Sequence, residues 1–103
     1  MELIKIRQEM EHKGNRDFKV ILSVETGEDV ETIEFNYFDV NSIYPLYNSL
    51  ISFVREVEDA HIELETCNPN FASEISGRPN RNSTLLRILK DTQEMQGITI
   101  EAE

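Results

Sequence analysis

Up to about residue 37 the apolar side chains of this chain recur at every second position, and from Asn41 they recur at every third or fourth. A period of two belongs to strands and one near 3.6 to helices, so this single change of period predicts a sheet made first and a helix laid across it. In residues 2–10, Ile4, Ile6 and Met10 alternate with Lys5, Arg7 and Glu9, as in a half-buried strand. The stretch EHKGNR then reads as a turn around Gly14. FKVILSVE puts Phe18, Val20, Leu22 and Val24 on one face, and ETIEFNY does the same with Ile33, Phe35 and Tyr37. Gly27 in TGED marks the reversal between them, which predicts a three-stranded antiparallel meander whose inner face needs a cover.

From Asn41 the cover follows. Ile43, Leu46, Tyr47, Leu50, Phe53, Val54 and Val57 share one helical face, opposite Asn48, Ser49, Ser52, Arg55 and Glu56. Asn41 or Ser42 can cap this helix, and Pro45 falls in its first turn, where a missing N–H costs nothing. The spacing predicts an amphipathic helix over about 42–59 packed on a face of the sheet. HIELETC, 61–67, returns to alternation as a further strand with Ile62 and Leu64 inward, followed by a loop of roughly fifteen residues from CNPN, in which part of FASEIS could be a strand. The 84–96 region reads either as a helix stopped by Gly97 or as a hairpin of LLRIL with ITIEA. The fold class expected is α+β, a single domain over 1–103 with a mostly antiparallel sheet.

Chemistry-bearing motifs are few. The four glycines, at 14, 27, 77 and 97, form neither a P-loop nor a dinucleotide fingerprint. TGEDVE lacks calcium-loop spacing. His61, Glu63 and Glu65 project from one side of a strand with Asp59 and Cys67 at its ends, but same-face neighbours stand about 6.6 Å apart, so a metal would need ligands from elsewhere. A solvated strand face explains them without an ion. Cys67, the only cysteine, is read as a small buried hydrophobe rather than a nucleophile, and it excludes an intrachain disulfide. Arg78 and Arg81 could grip a phosphate or carboxylate, although self-neutralisation against the acidic surface accounts for them as well. No metal, cofactor or catalytic residue is assigned, and the chain is read as non-catalytic. With no apolar run near the roughly 18 residues a span needs, no membrane role is expected, and the cytoplasm is the expected location.

Charge carries the functional expectation. Twenty Asp and Glu face ten Lys and Arg, a net charge of −10. Between Val20 and Gly77 there are twelve acids and one base, Arg55. Carboxylates facing each other across a hairpin weaken the pairing, so this segregation implies counter-charges on another molecule. Glu25, Glu28, Asp29, Glu31 and Glu34 on the hairpin, with Glu56, Glu58, Asp59, Glu63 and Glu65 around the helix-to-strand junction, are the candidate partner-binding residues. In size and charge the chain resembles anti-CRISPR, anti-restriction and nuclease-immunity inhibitors. That resemblance implies a basic, nucleic-acid-handling protein as partner and no direct contact with nucleic acid. The alternative is an accessory or structural subunit of a phage-like or bacterial assembly, acidic only for solubility.

Overall fold

The computed structural model describes residues 1–77 and 83–103. Arg78, Arg81 and Asn82 lie outside the described residues, as does any side-chain cap from Ser83. The chain forms β1 (Glu2–Gly14), β2 (Asp17–Thr26), β3 (Asp29–Tyr37), α1 (Tyr44–Val54), β4 (Ala60–Thr66), α2 (Pro69–Ile75), α3 (Ser83–Gln96) and β5 (Ile98–Ala102). All five strands join one sheet in the order β3-β2-β1-β4-β5. β1, β2 and β3 form the expected antiparallel meander, with Ile6 opposite Val24 and Leu22 opposite Ile33.

The other half departs from the expectation. β4 runs parallel to β1, with Ile6 beside Leu64, and β5 runs parallel to β4, with Ile62 beside Ile100. The sheet is therefore mixed rather than mostly antiparallel. Parallel neighbours need a crossover connection of a dozen residues or more. Between β4 and β5 that crossover is 67–97, where the stretch expected to be a loop contains α2 and the ambiguous 84–96 region supplies α3; β4 itself is brought beside β1 by the path through β2, β3 and α1. FASEIS is helical because Asn68, in an extended conformation, accepts a hydrogen bond from the Phe71 amide and Pro69 occupies the first turn. The 84–96 ambiguity resolves to the helix, which Gly97 at φ +68° ends as expected; LLRIL is therefore not a strand, and ITIEA forms β5 against β4 rather than a hairpin with LLRIL. A Cβ there would also sit 2.6 Å from Asp59 Oδ1.

α1 is shorter than the 42–59 expected, because its last turn tightens. The Glu56 and Val57 amides donate to the Phe53 and Val54 carbonyls, and Asp59 turns at φ 49°. At the other end Asn41 Oδ1 accepts from the Ile43 and Tyr44 amides, so the expected cap acts from just outside the helix. Leu46, Tyr47, Leu50, Phe53 and Val54 are buried as the period requires. Each such side chain contributes about 1.5–3 kcal/mol of transfer free energy. They cover the sheet face formed by Ile4, Ile6, Val20, Leu22, Ile62 and Leu64, and Phe71, Leu89 and Ile98 complete the core. The opposite face alternates Lys5, Arg7 and Glu9 with the outward side chains of β2 and β4. Among the described residues, no helix is long and apolar enough to cross a membrane.

Candidate functional site

Strand order fixes where a site belongs. From β1 the chain builds outward one way through β2 and β3, and then the other way through β4 and β5. In open sheets with parallel neighbours, ligands bind beyond the carboxyl ends of the strands at such a reversal. Here that place lies past Gln8 on β1 and Thr66 on β4, which are register partners.

Three polar side chains meet there. Gln8 is 1% exposed although it occupies an inward position of an apolar strand. Its Nε2 donates to the Leu46 carbonyl at 3.0 Å and to Ser49 Oγ at 3.2 Å. Its Oε1 accepts from Thr66 Oγ1 at 2.6 Å. Ser49, fully buried, donates in turn to the Leu46 carbonyl. The backbone closes the crevice further, because the Cys67 amide donates to the Gln8 carbonyl. Cys67 is exposed, not buried as its type suggests, because it follows the last strand residue and points away from the core.

The rim at this end is the β1–β2 hairpin and the β3–α1 connection. Lys13, Arg16 and Lys19 lie within one turn and its flanks. His12 stacks on Phe18 with ring centroids 4.8 Å apart. The Asp39 amide donates to Asp17 Oδ1 and the Val40 amide to the Arg16 carbonyl, which ties the β3–α1 connection to the hairpin. Phe38, beside this tie, is 73% exposed. Each cation already has a carboxylate neighbour: Lys13 with Glu11 at 2.9 Å, Arg16 with Asp39 at 3.6 Å, and Lys19 with Glu34 at 3.2 Å. The lysine beside Glu11 holds that carboxyl below its ordinary value. The Lys13 and Arg16 pairs are exposed on both sides and therefore weak, whereas Lys19 is largely covered.

The ten acids expected to bind a partner do not converge at this end. Glu25, Glu34, Glu63 and Glu65 lie on the uncovered sheet face. Glu31 has the opposite register to Glu34 on the edge strand β3, so it points to the helix side. Glu28 in the β2–β3 turn, Asp29 at the start of β3, and Glu56, Glu58 and Asp59 in the α1–β4 connection lie at the far end of the sheet from Gln8. Two already pair within the molecule, Glu34 with Lys19 and Glu65 with Arg7 at 3.5 Å. A concavity of 490 Å³ on the uncovered face brings Glu25, Glu63, Glu65, Glu101 and Glu103 around Lys5 and Arg7. His61, also on that face, contacts Thr99 Oγ1 and Glu101. Among the described residues no group of three or more His, Cys, Asp or Glu could hold a metal ion.

Gln8 escaped the sequence reading. The signal was present: an amide at an inward position between Ile6 and Met10 must have buried partners. Ser49 was assigned to the polar face of α1, and the structure buries it instead, against Gln8.

No sequence family and no curated protein matches the chain. Solved structures do. The chain is similar to RNase H1 from the halophilic archaeon Halobacterium salinarum, with a TM-score of 0.70 at 14% identity over 98% of this chain and 85% of that one. It is similar to LC11-RNase H1, solved in complex with an RNA/DNA hybrid, with a TM-score of 0.65 at 7% identity over 97% of this chain and 84% of that one. A foamy viral protease–reverse transcriptase, solved in complex with dsDNA, gives 0.66 at 9% identity over 99% of this chain and 80% of that one. At such identities the likeness shows the fold, that of RNase H1.

These likenesses correct the expectations drawn from charge. A non-catalytic inhibitor or immunity protein, a basic protein as partner, no direct contact with nucleic acid, and the assembly-subunit alternative do not accord with a fold shared with a ribonuclease and a reverse transcriptase. The physical reason is that net charge sums over a chain, whereas recognition depends on where charges sit. Folding sends the acidic β2–β3 turn and α1–β4 connection to one end and puts Lys13 and Arg16 at the other, where Glu11, Asp17 and Asp39 accompany them.

Metal-assisted cleavage of phosphodiesters holds divalent ions on carboxylate oxygens. At this crevice the side chains are an amide and two hydroxyls, all engaged with one another. They do not fit such ions.

Proposed function

We propose that this chain is a nucleic-acid-handling domain that receives a nucleic-acid duplex at the carboxyl end of its sheet. The observation that carries this reading is the shared fold, since two of the neighbours hold duplexes, an RNA/DNA hybrid in one and dsDNA in the other. The contacts would come from Lys13 and Arg16 to phosphate, with exposed Phe38 against sugar or base. The two cations are half-exposed or more; among the described residues their carboxylate partners are exposed, and Arg16 Nε donates besides to the exposed Val40 carbonyl, so a phosphate can replace Glu11 and Asp39 without breaking buried structure. The acidic residues at the far end and on the uncovered face disfavour any other approach, which orients the duplex. The reading treats residues 1–103 as one domain in the cytoplasm, where exposed Cys67 stays reduced.

Fluorescence anisotropy with labelled RNA/DNA hybrid, dsDNA and single strands at low salt tests this. Wild type is expected to bind duplex, and Lys13→Glu with Arg16→Glu to weaken binding at least tenfold while the melting temperature holds. Binding that ignores both substitutions would contradict the placement, and no binding to any nucleic acid would contradict the function.

A further inference from the structure

We infer that the crevice between Gln8, midway along β1, and the carboxyl end of β4 is a closed, neutral joint that takes no divalent cation. The ground is the donor set. A magnesium or manganese ion in such a place needs anionic oxygens to offset the loss of its hydration shell. Gln8, Ser49 and Thr66 carry no charge. Their polar atoms are already consumed. Gln8 Nε2 has two acceptors, Gln8 Oε1 has the Thr66 hydroxyl, and Ser49 Oγ both accepts from Gln8 and donates to the Leu46 carbonyl. An ion arriving there would have to break at least one of these bonds in a site from which water is excluded at Gln8 and Ser49. The Gln8 amide hydrogens also point their positive ends into the crevice, toward Leu46 and Ser49, which opposes a cation.

Nothing outside the described residues can supply the missing ligands within this sequence. Residues 78–82 read RPNRN and contain no carboxylate, imidazole or thiol. The joint instead fastens three elements together: β1 through Gln8, β4 through Thr66, and the first turns of α1 through Leu46 and Ser49. It holds the rim that the duplex reading uses without taking part in metal chemistry.

The test is titration of the free protein with Mn²⁺, read as paramagnetic broadening of backbone amide NMR signals. Because no nucleic acid is present, the result stands whether or not the duplex reading does. The expected outcome is that Gln8, Ser49, Thr66 and Cys67 keep their signals at ion concentrations that already broaden surface carboxylates at the far end of the sheet, such as Glu28 and Glu58. Selective loss of the four crevice signals at or before that point would overturn the inference. A second arm uses wild-type protein and isothermal calorimetry with Mg²⁺, before and after the Gln8→Met substitution. The expected heats are the same for both proteins. A heat that Gln8→Met removes would overturn the inference as well.

Discussion

Gln8 shows how much one side chain can decide. As an isolated buried amide it would be costly, because an unpaired polar group away from water costs about 1–3 kcal/mol. With its partners it becomes the link between sheet and helix. Replacing it by Ala removes those bonds, takes away the acceptor of the Thr66 hydroxyl and opens a cavity beneath α1. Gln8→Ala is expected to lower the unfolding free energy by about 2–4 kcal/mol, measured by urea denaturation. Tyr47 offers a second prediction, in pH. Burial, and then the hydrogen bond its hydroxyl donates to Glu74 at 2.8 Å, push the phenol well above its ordinary value. Burial also raises Tyr37, whose hydroxyl donates to Asn48. Unfolded phenols ionise near pH 10, so above that pH the unfolded chain holds fewer protons than the folded one. Stability contributed by these groups is complete below about pH 10 and falls as pH rises beyond it. The Tyr47→Phe variant is expected to show a shallower loss between about pH 10 and 11 in urea melts at fixed pH.

At the scale of elements, the meander and α1 were legible because each writes its own period. Val20, Leu22 and Val24 alternate, and Leu46, Leu50 and Val54 repeat on one helical face, so burial follows directly from spacing. The direction of β4 and β5 was not legible, because a strand's pattern is the same whichever way it runs. Only the connection decides, and α2 was too short to show a period. Its signature was chemical: Asn68 as cap and Pro69 in the first turn. Asn68→Ala is therefore expected to cost about 1 kcal/mol, read by thermal melts. The effect should reach Phe71, whose ring packs edge-on to Tyr47 at 4.8 Å. The crevice was not legible either, since Gln8, Ser49 and Thr66 are far apart in sequence and meet only when β4 lies beside β1.

For the whole molecule, the lesson concerns charge. A net charge of −10 is a property of the composition, and it suggested a partner that the fold does not support. Sheet order separates the acidic turns from the Lys13–Arg16 hairpin, and places that hairpin beside the reversal in strand order where ligands bind. The same topology recurs in proteins solved with duplexes. The most direct test is an NMR titration of the labelled protein with a short RNA/DNA hybrid. The account predicts amide shifts gathered on Lys13–Arg16, Phe38–Val40 and Cys67–Asn68, with Glu28, Glu56 and Glu58 unmoved. Shifts confined to the uncovered face around Lys5 and Glu63, or no shifts at all, would contradict it.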